Sequence, residues 1–227
     1  MTVICPTVTA FDMQQYDAQL GMLRPFARRI HVDLMDGEFA PTVSPMPDDI
    51  WLPEGMVCDI HLMFQRPMEQ LERLISLKPH LVVIHAEAEA DFAGFARRLH
   101  EAGIKAGLSL LQQTPVAQVI DTLADYDHVL IFSGNLGHHG GSAVDFALLD
   151  KVKQVRERYP DIEIAWDGGV SDQNAAQLAE GGIEVLNVGG FIHKAADPQA
   201  AYATLEAVTK EHTDVYAAPE PAGNNRQ

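Results

Sequence analysis

Short apolar runs alternate with longer amphipathic segments along almost the whole chain. The runs cover 2–9, 29–34, 57–63, 81–86, 105–110, 128–132, 163–166 and 185–188. Helix-like stretches lie between most of them, at 68–77, 90–102, 145–158, 173–180 and 198–210. Strand-like runs followed by helical patterns are the signature of βα units with parallel strands. Eight such units in a chain of 227 residues predict an α/β fold of the (β/α)8 TIM-barrel type, a single domain over 1–212. A doubly wound open sheet gives the same periodicity and stays open at this level. Residues 36–56 carry Pro41, Pro45, Pro47 and Pro53, which oppose a long helix and predict a loop folded over one end of the barrel. Residues 217–227 are mostly Pro, Ala, Gly, Asn and Gln, so 213–227 is expected to be a disordered tail.

Within this apolar pattern, polar residues recur where strands end. In a strand, residues i and i+2 share a face, so His31 and Asp33 point the same way while Val32 and Leu34 point the other. An imidazole and a carboxylate on an apolar strand must pair, ligate a metal or react. His61 and Met63 close the third run, His85 the fourth, and Asp167-Gly168-Gly169 follows the seventh. Barrel enzymes build their sites at these carboxyl ends. His31, Asp33, His61 and Asp167 make a donor set acceptable to one divalent ion, whether Zn²⁺, Fe²⁺ or Mn²⁺, and satisfied core pairing is the competing reading. Two carboxylates beside a metal suit proton transfer next to a carbonyl, one removing a carbon-bound proton and the other returning it on the opposite face. Asp59, one layer deeper than His61, is expected to orient His61 or another buried donor. His85 either lines the site or is a hydrogen-bonded core histidine.

Glycines follow the last three runs, in 137–142, 168–169 and 189–190. Exposed backbone amides there hold an anion without a basic residue. That matters because 32 Asp and Glu against 16 Lys and Arg leave a formal charge of -16. So acidic a chain is not expected to bind nucleic acid or a membrane surface. His138 and His139 read as loop residues in reach of substrate. Cys5 and Cys58 have no disulfide or metal-finger spacing, and no basic segment precedes a long apolar one at the start, so a cytoplasmic location is expected.

With these motifs assembled, the sequence resembles the ribulose-phosphate 3-epimerase family. The most specific pieces are His31-Val32-Asp33-Leu34-Met35-Asp36-Gly37, Asp59-Ile60-His61-Leu62-Met63 and Trp166-Asp167-Gly168-Gly169-Val170, and the likeness runs to about Val208. The resemblance implies a (β/α)8 barrel of the pentose phosphate pathway that uses one divalent metal to interconvert ribulose 5-phosphate and xylulose 5-phosphate by 1,1-proton transfer at C3. By position it makes His31, Asp33, His61 and Asp167 the ligands, and Asp33 and Asp167 the two acid-base residues. Thr7, Met35, His61, Met63, Gly140, Gly141, Gly169, Gly189 and Gly190 become substrate-binding positions, and a homo-oligomer the expected assembly. Thr7 stands where the family has a serine, Phe132 replaces its third methionine, and Gly190 replaces a serine at the phosphate. The loop 135–142 is altered and one residue longer. These departures leave another ketose phosphate, such as a hexulose 6-phosphate of the allulose type, as the alternative substrate. A phosphosugar-binding homologue without turnover is the non-enzymatic alternative.

Overall fold

The computed structural model describes residues 2–138 and 141–215. Strands Val3–Thr9 (β1), Arg29–Met35 (β2), Val57–Met63 (β3), Leu81–His85 (β4), Lys105–Leu110 (β5), His128–Phe132 (β6), Glu163–Asp167 (β7) and Val185–Val188 (β8) pair in parallel, each with the next. Strand β8 closes on β1, which settles the barrel over the open sheet. Each strand matches its expected run to within one residue at either end. Around the barrel lie Met13–Leu23 (α1), Leu71–Leu77 (α2), Phe92–Glu101 (α3), Leu149–Arg158 (α4), Ala175–Glu180 (α5), Gly190–His193 (α6) and Pro198–Val215 (α7). Two expected helices, 68–77 and 145–158, begin instead as 3-10 turns, Pro67–Gln70 and Phe146–Leu148. Between β5 and β6 stand only the short 3-10 turns Val116–Gln118 and Thr122–Asp125. Helix α7 runs past the expected boundary at 212, and most of the expected tail, 216–227, lies outside the described residues.

Alternation along the strands sorts side chains into two cores. The outward set, including Val8, Val32, Leu34, Ile60, Ile84, Val129 and Trp166, packs against the helices in the main apolar cluster. The inward set makes a smaller plug, Cys5, Leu81, Val83, Leu130, Ala165 and Val185, across the middle of the barrel. Both cysteines are free and buried. Among the described residues no helix is long and apolar enough to cross a membrane.

Inward polar residues lie above and below that plug. At the amino-terminal floor, Arg29 donates from Nε to Asp59 Oδ2 at 2.6 Å and from both terminal nitrogens to the Glu163 carboxylate at 2.9 and 2.8 Å. His128 Nδ1 lies 2.7 Å from Glu163 Oε2. Asp59 therefore serves a buried donor as expected, and that donor is Arg29 rather than His61.

At the opposite end, the β2–β3 connection folds over the barrel mouth as its prolines predict. Asp36 ties it down, accepting from the amides of Glu38 and Phe39 with one oxygen and from that of Gln65 with the other. Gly37 turns at φ +79°, a conformation that favours glycine, and a β-carbon there would stand 2.8 Å from Val43. Phe39 and Ala40 then pack with Met35, Met63 and Phe132. The Thr42 hydroxyl donates to the Gly137 carbonyl at 2.8 Å, joining this loop to the one after β6.

Candidate active site and metal centre

Strand register brings the polar residues together at the carboxyl end. Thr9, Asp33 and His61 stand side by side across β1, β2 and β3, with Thr7 beside His31 one layer below. Asp167 lies opposite, paired with Phe132 on β6 and Asn187 on β8. His31 Nε2 is 3.4 Å from Asp33 Oδ1 and 3.6 Å from Asp167 Oδ2, while His61 Nδ1 is 3.1 Å from Asp33 Oδ1. One ligand atom from each of His31, Asp33, His61 and Asp167 lies within 4.8 Å of the others. The four residues named from sequence thus converge on one point.

The electrostatics of the cluster suit a cation. Burial pushes His31 down to about 3, despite the Asp33 carboxylate beside it, so the ring is neutral with a lone pair available. Burial works to raise Asp33 as well, but its hydrogen bonds with His61 and Thr9 and the nearby imidazoles bring it net below its ordinary value. Burial and then the charge of Asp33 push Asp167 well above the carboxylate range. Two carboxylates this close, Asp33 buried and Asp167 partly so, repel unless a proton or a cation stands between them, and two imidazoles with two carboxylates match the donors of a divalent transition metal. The residues therefore fit the metal.

Beside the cluster opens a cavity of about 270 Å³. Of the expected substrate positions, Thr7, Met63, Gly141, Gly169, Gly189 and Gly190 line it, together with Asp33 and Asp167. Met35 and His61 do not: both are fully buried, in register with Met63 and Asp33, which do line it. Gly140 and His139 lie outside the described residues. The cavity needs glycine at its edge. Gly168 turns at φ +114° and Gly169 at φ +74°, and β-carbons there would fall 2.3 Å from the Gly134 nitrogen and 2.8 Å from the backbone of Ala143 and Val144.

Thr9, Asn187 and Lys194 are among the lining residues not named from the sequence. Thr9 donates to Asp33 Oδ2 at 2.6 Å, and its place two residues beyond Thr7 was a signal that could have found it. Asn187 is buried, with its Nδ2 3.4 Å from His31 Nε2 and its Oδ1 without a hydrogen-bond partner; an asparagine at an inward position of an apolar strand was the clue. Lys194, just past α6, is the cationic side chain of the cavity among the described residues, and nothing in the local pattern marks it.

Fold and site together define a (β/α)8 barrel that gathers two histidines and two aspartates beside a glycine-edged cavity at the carboxyl ends of its strands. Residues 3–193 match the model of the ribulose-phosphate 3 epimerase family. The ribulose-phosphate 3-epimerase of Mycobacterium tuberculosis is 31% identical over 210 residues, covering 89% of this chain and 91% of that protein. The one from Bacillus subtilis is 29% identical over 214 residues, covering 90% and 98%. The chain belongs to the ribulose-phosphate 3-epimerase family, carbohydrate isomerases of the racemase and epimerase type. Solved structures with the same fold include a 3-hexulose-6-phosphate synthase, at TM-score 0.68 and 16% identity over 91% of this chain and 99% of that one. Another is the 3-keto-L-gulonate-6-phosphate decarboxylase of Vibrio cholerae, at TM-score 0.71 and 9% identity over 93% and 98%.

Proposed function

We propose that this chain interconverts D-ribulose 5-phosphate and D-xylulose 5-phosphate by two-base proton transfer at C3. The observation that carries this reading is that Asp33 on β2 and Asp167 on β7, separated by β8 and β1, both border the same cavity and both flank His31. Asp33, ionised, takes the proton from C3; the C3–H electron pair moves into the C2–C3 bond and charge develops on the C2 oxygen, giving an enediolate. Asp167, protonated, returns a proton to C3 from the other face, which inverts the centre and leaves the two acids with their protons exchanged. His31, Asp33, His61 and Asp167 would hold a divalent cation, which when bound would supply Lewis-acid stabilisation of the charge developing on the substrate oxygens. Thr9 holds the Asp33 carboxylate by its hydrogen bond to Oδ2. Met63 gives the planar intermediate an apolar, polarisable wall.

The phosphate binds in the glycine turns after β6, β7 and β8, where backbone amides replace the positive charge an acidic chain lacks. Lys194 adds one exposed cation there. Lys194→Ala is expected to raise KM roughly 2–5-fold with kcat unchanged, the effect shrinking as salt is added. An unchanged KM at low ionic strength would remove Lys194 from the phosphate site.

One observation favours the larger substrate as a second reading. A further recess of about 320 Å³, lined by Leu111, Gln112 and Leu136, shares Phe132, Gly134, Asn135 and His138 with the first cavity, giving room beyond a five-carbon chain. Parallel epimerisation assays of ribulose 5-phosphate and a hexulose 6-phosphate separate the two. The first reading expects the higher kcat/KM for the pentulose; turnover of the hexulose alone would replace it with the second.

A further inference from the structure

His61 sits between two partners, and only one of them belongs to the ligand cluster. Its Nδ1 faces Asp33, while its Nε2 lies 2.9 Å from Nε2 of His85 on β4. At that separation one nitrogen carries the proton and the other accepts it. For Nδ1 of His61 to present its lone pair to a cation, Nε2 must be the N–H that donates to His85. His85 then carries its own proton on Nδ1, which lies 3.4 Å from Glu87 Oε2. Both atoms are buried and have no hydrogen-bond partner, so each is the nearest group of opposite character open to the other. The other oxygen of Glu87 accepts from the Leu111 amide at 3.1 Å and from the Thr114 hydroxyl. Lys151 of α4 in turn pins this loop, donating to the carbonyls of Leu111 and Thr114 at 2.6 and 2.8 Å. The rings of Phe39 and Phe132 lie 4.7 and 5.5 Å from that of His85, an apolar setting in which a hydrocarbon side chain would cost less to bury than imidazole.

We infer that His85 and Glu87 form a positioning relay that fixes the ring orientation and tautomer of His61 and thereby sets how tightly the His31, Asp33, His61 and Asp167 cluster holds a divalent cation. This rests on the metal reading above. Neither residue lines the cavity, so neither is catalytic; both act through His61. The relay lengthens by one imidazole the common pattern in which a carboxylate orients a metal-binding histidine.

Titration of the metal-stripped protein with Co²⁺, followed by absorption, tests the relay. His85→Phe keeps the ring packing but removes the acceptor, and is expected to weaken Co²⁺ binding about 10–100-fold while leaving the thermal midpoint of the metal-free protein unchanged or raised. His85→Gln, whose carboxamide oxygen can accept from His61, should recover most of that affinity. Equal losses in the two variants, or a His85→Phe affinity within about twofold of the unaltered chain where 10–100-fold is expected, would overturn the relay. Should His85→Phe not fold, Glu87→Gln and Thr114→Val serve the same purpose, with weaker Co²⁺ binding expected and unchanged binding contradicting the inference. An unaltered chain that takes up no Co²⁺ contradicts the metal reading itself and the relay with it. Binding that is equal in every variant contradicts the relay alone.

Discussion

Asp167→Asn is expected to leave a protein that exchanges a proton without inverting the carbon. With Asp33 intact, one epimer still loses its C3 proton to solvent, but no acid on the far face completes the inversion. Epimerisation falls by about 10²–10⁴-fold, the usual contribution of a general acid or base. Asp33→Asn is expected to abolish epimerisation too, and to disturb more around it, because Asp33 also accepts from Thr9 and contacts both His31 and His61. Metal content must be measured in each variant, since both residues belong to the ligand cluster. Exchange from one epimer, with metal retained and inversion lost, is the combination that ligand loss alone cannot produce. Full epimerisation by both variants would refute the two-base scheme.

The second large effect concerns stability. Arg29→Met removes the partner of Asp59, a carboxylate that is 1% exposed and whose other oxygen already lacks a hydrogen bond. Burial pushes the Asp59 acid up even with Arg29 present. Glu163 is held below the usual carboxylate range: its burial acts to raise it, and the hydrogen bonds from Arg29 and His128 outweigh that. Breaking one side of a buried ion pair costs about 3–5 kcal/mol, which in a chain of this size lowers Tm by about 6–20 °C. The double variant R29M/D59L should recover most of the loss, because the fully buried Asp59 charge is then gone, while the partly exposed Glu163 keeps His128 as a partner. Thermal unfolding of the two variants decides. A single variant as stable as the original would show that the floor network does not hold the barrel together.

Much of this was legible in the chain because period two says which residues share a face and strand ends say where a barrel keeps its chemistry. His31, Asp33, His61 and Asp167 lie far apart in sequence, yet each falls at an inward position near a strand's carboxyl end, and closure brings them together. The 36–56 loop was readable from its prolines. Periodicity does not say which loops meet. The contact of Thr42 with Gly137, the place of Lys194 at the cavity and the relay from His61 to Glu87 depend on how separate βα units pack side by side. Nor does it give exposure: Met35 and His61 share the face and level of Met63 and Asp33, yet both are fully buried and do not border the cavity. Asp59 shows the same limit, its inward face being evident and its partner, Arg29 of the neighbouring strand, being set by register.

In the proposed reaction Asp33 and Asp167 move the C3 proton of a ketose phosphate. Incubation of the metal-loaded protein with ribulose 5-phosphate in deuterium oxide, followed by proton NMR, tests it most directly. The expected product is xylulose 5-phosphate carrying deuterium at C3. Substrate recovered with its C3 proton intact, under conditions in which it binds, would contradict the account and leave a protein that holds the sugar phosphate without turning it over.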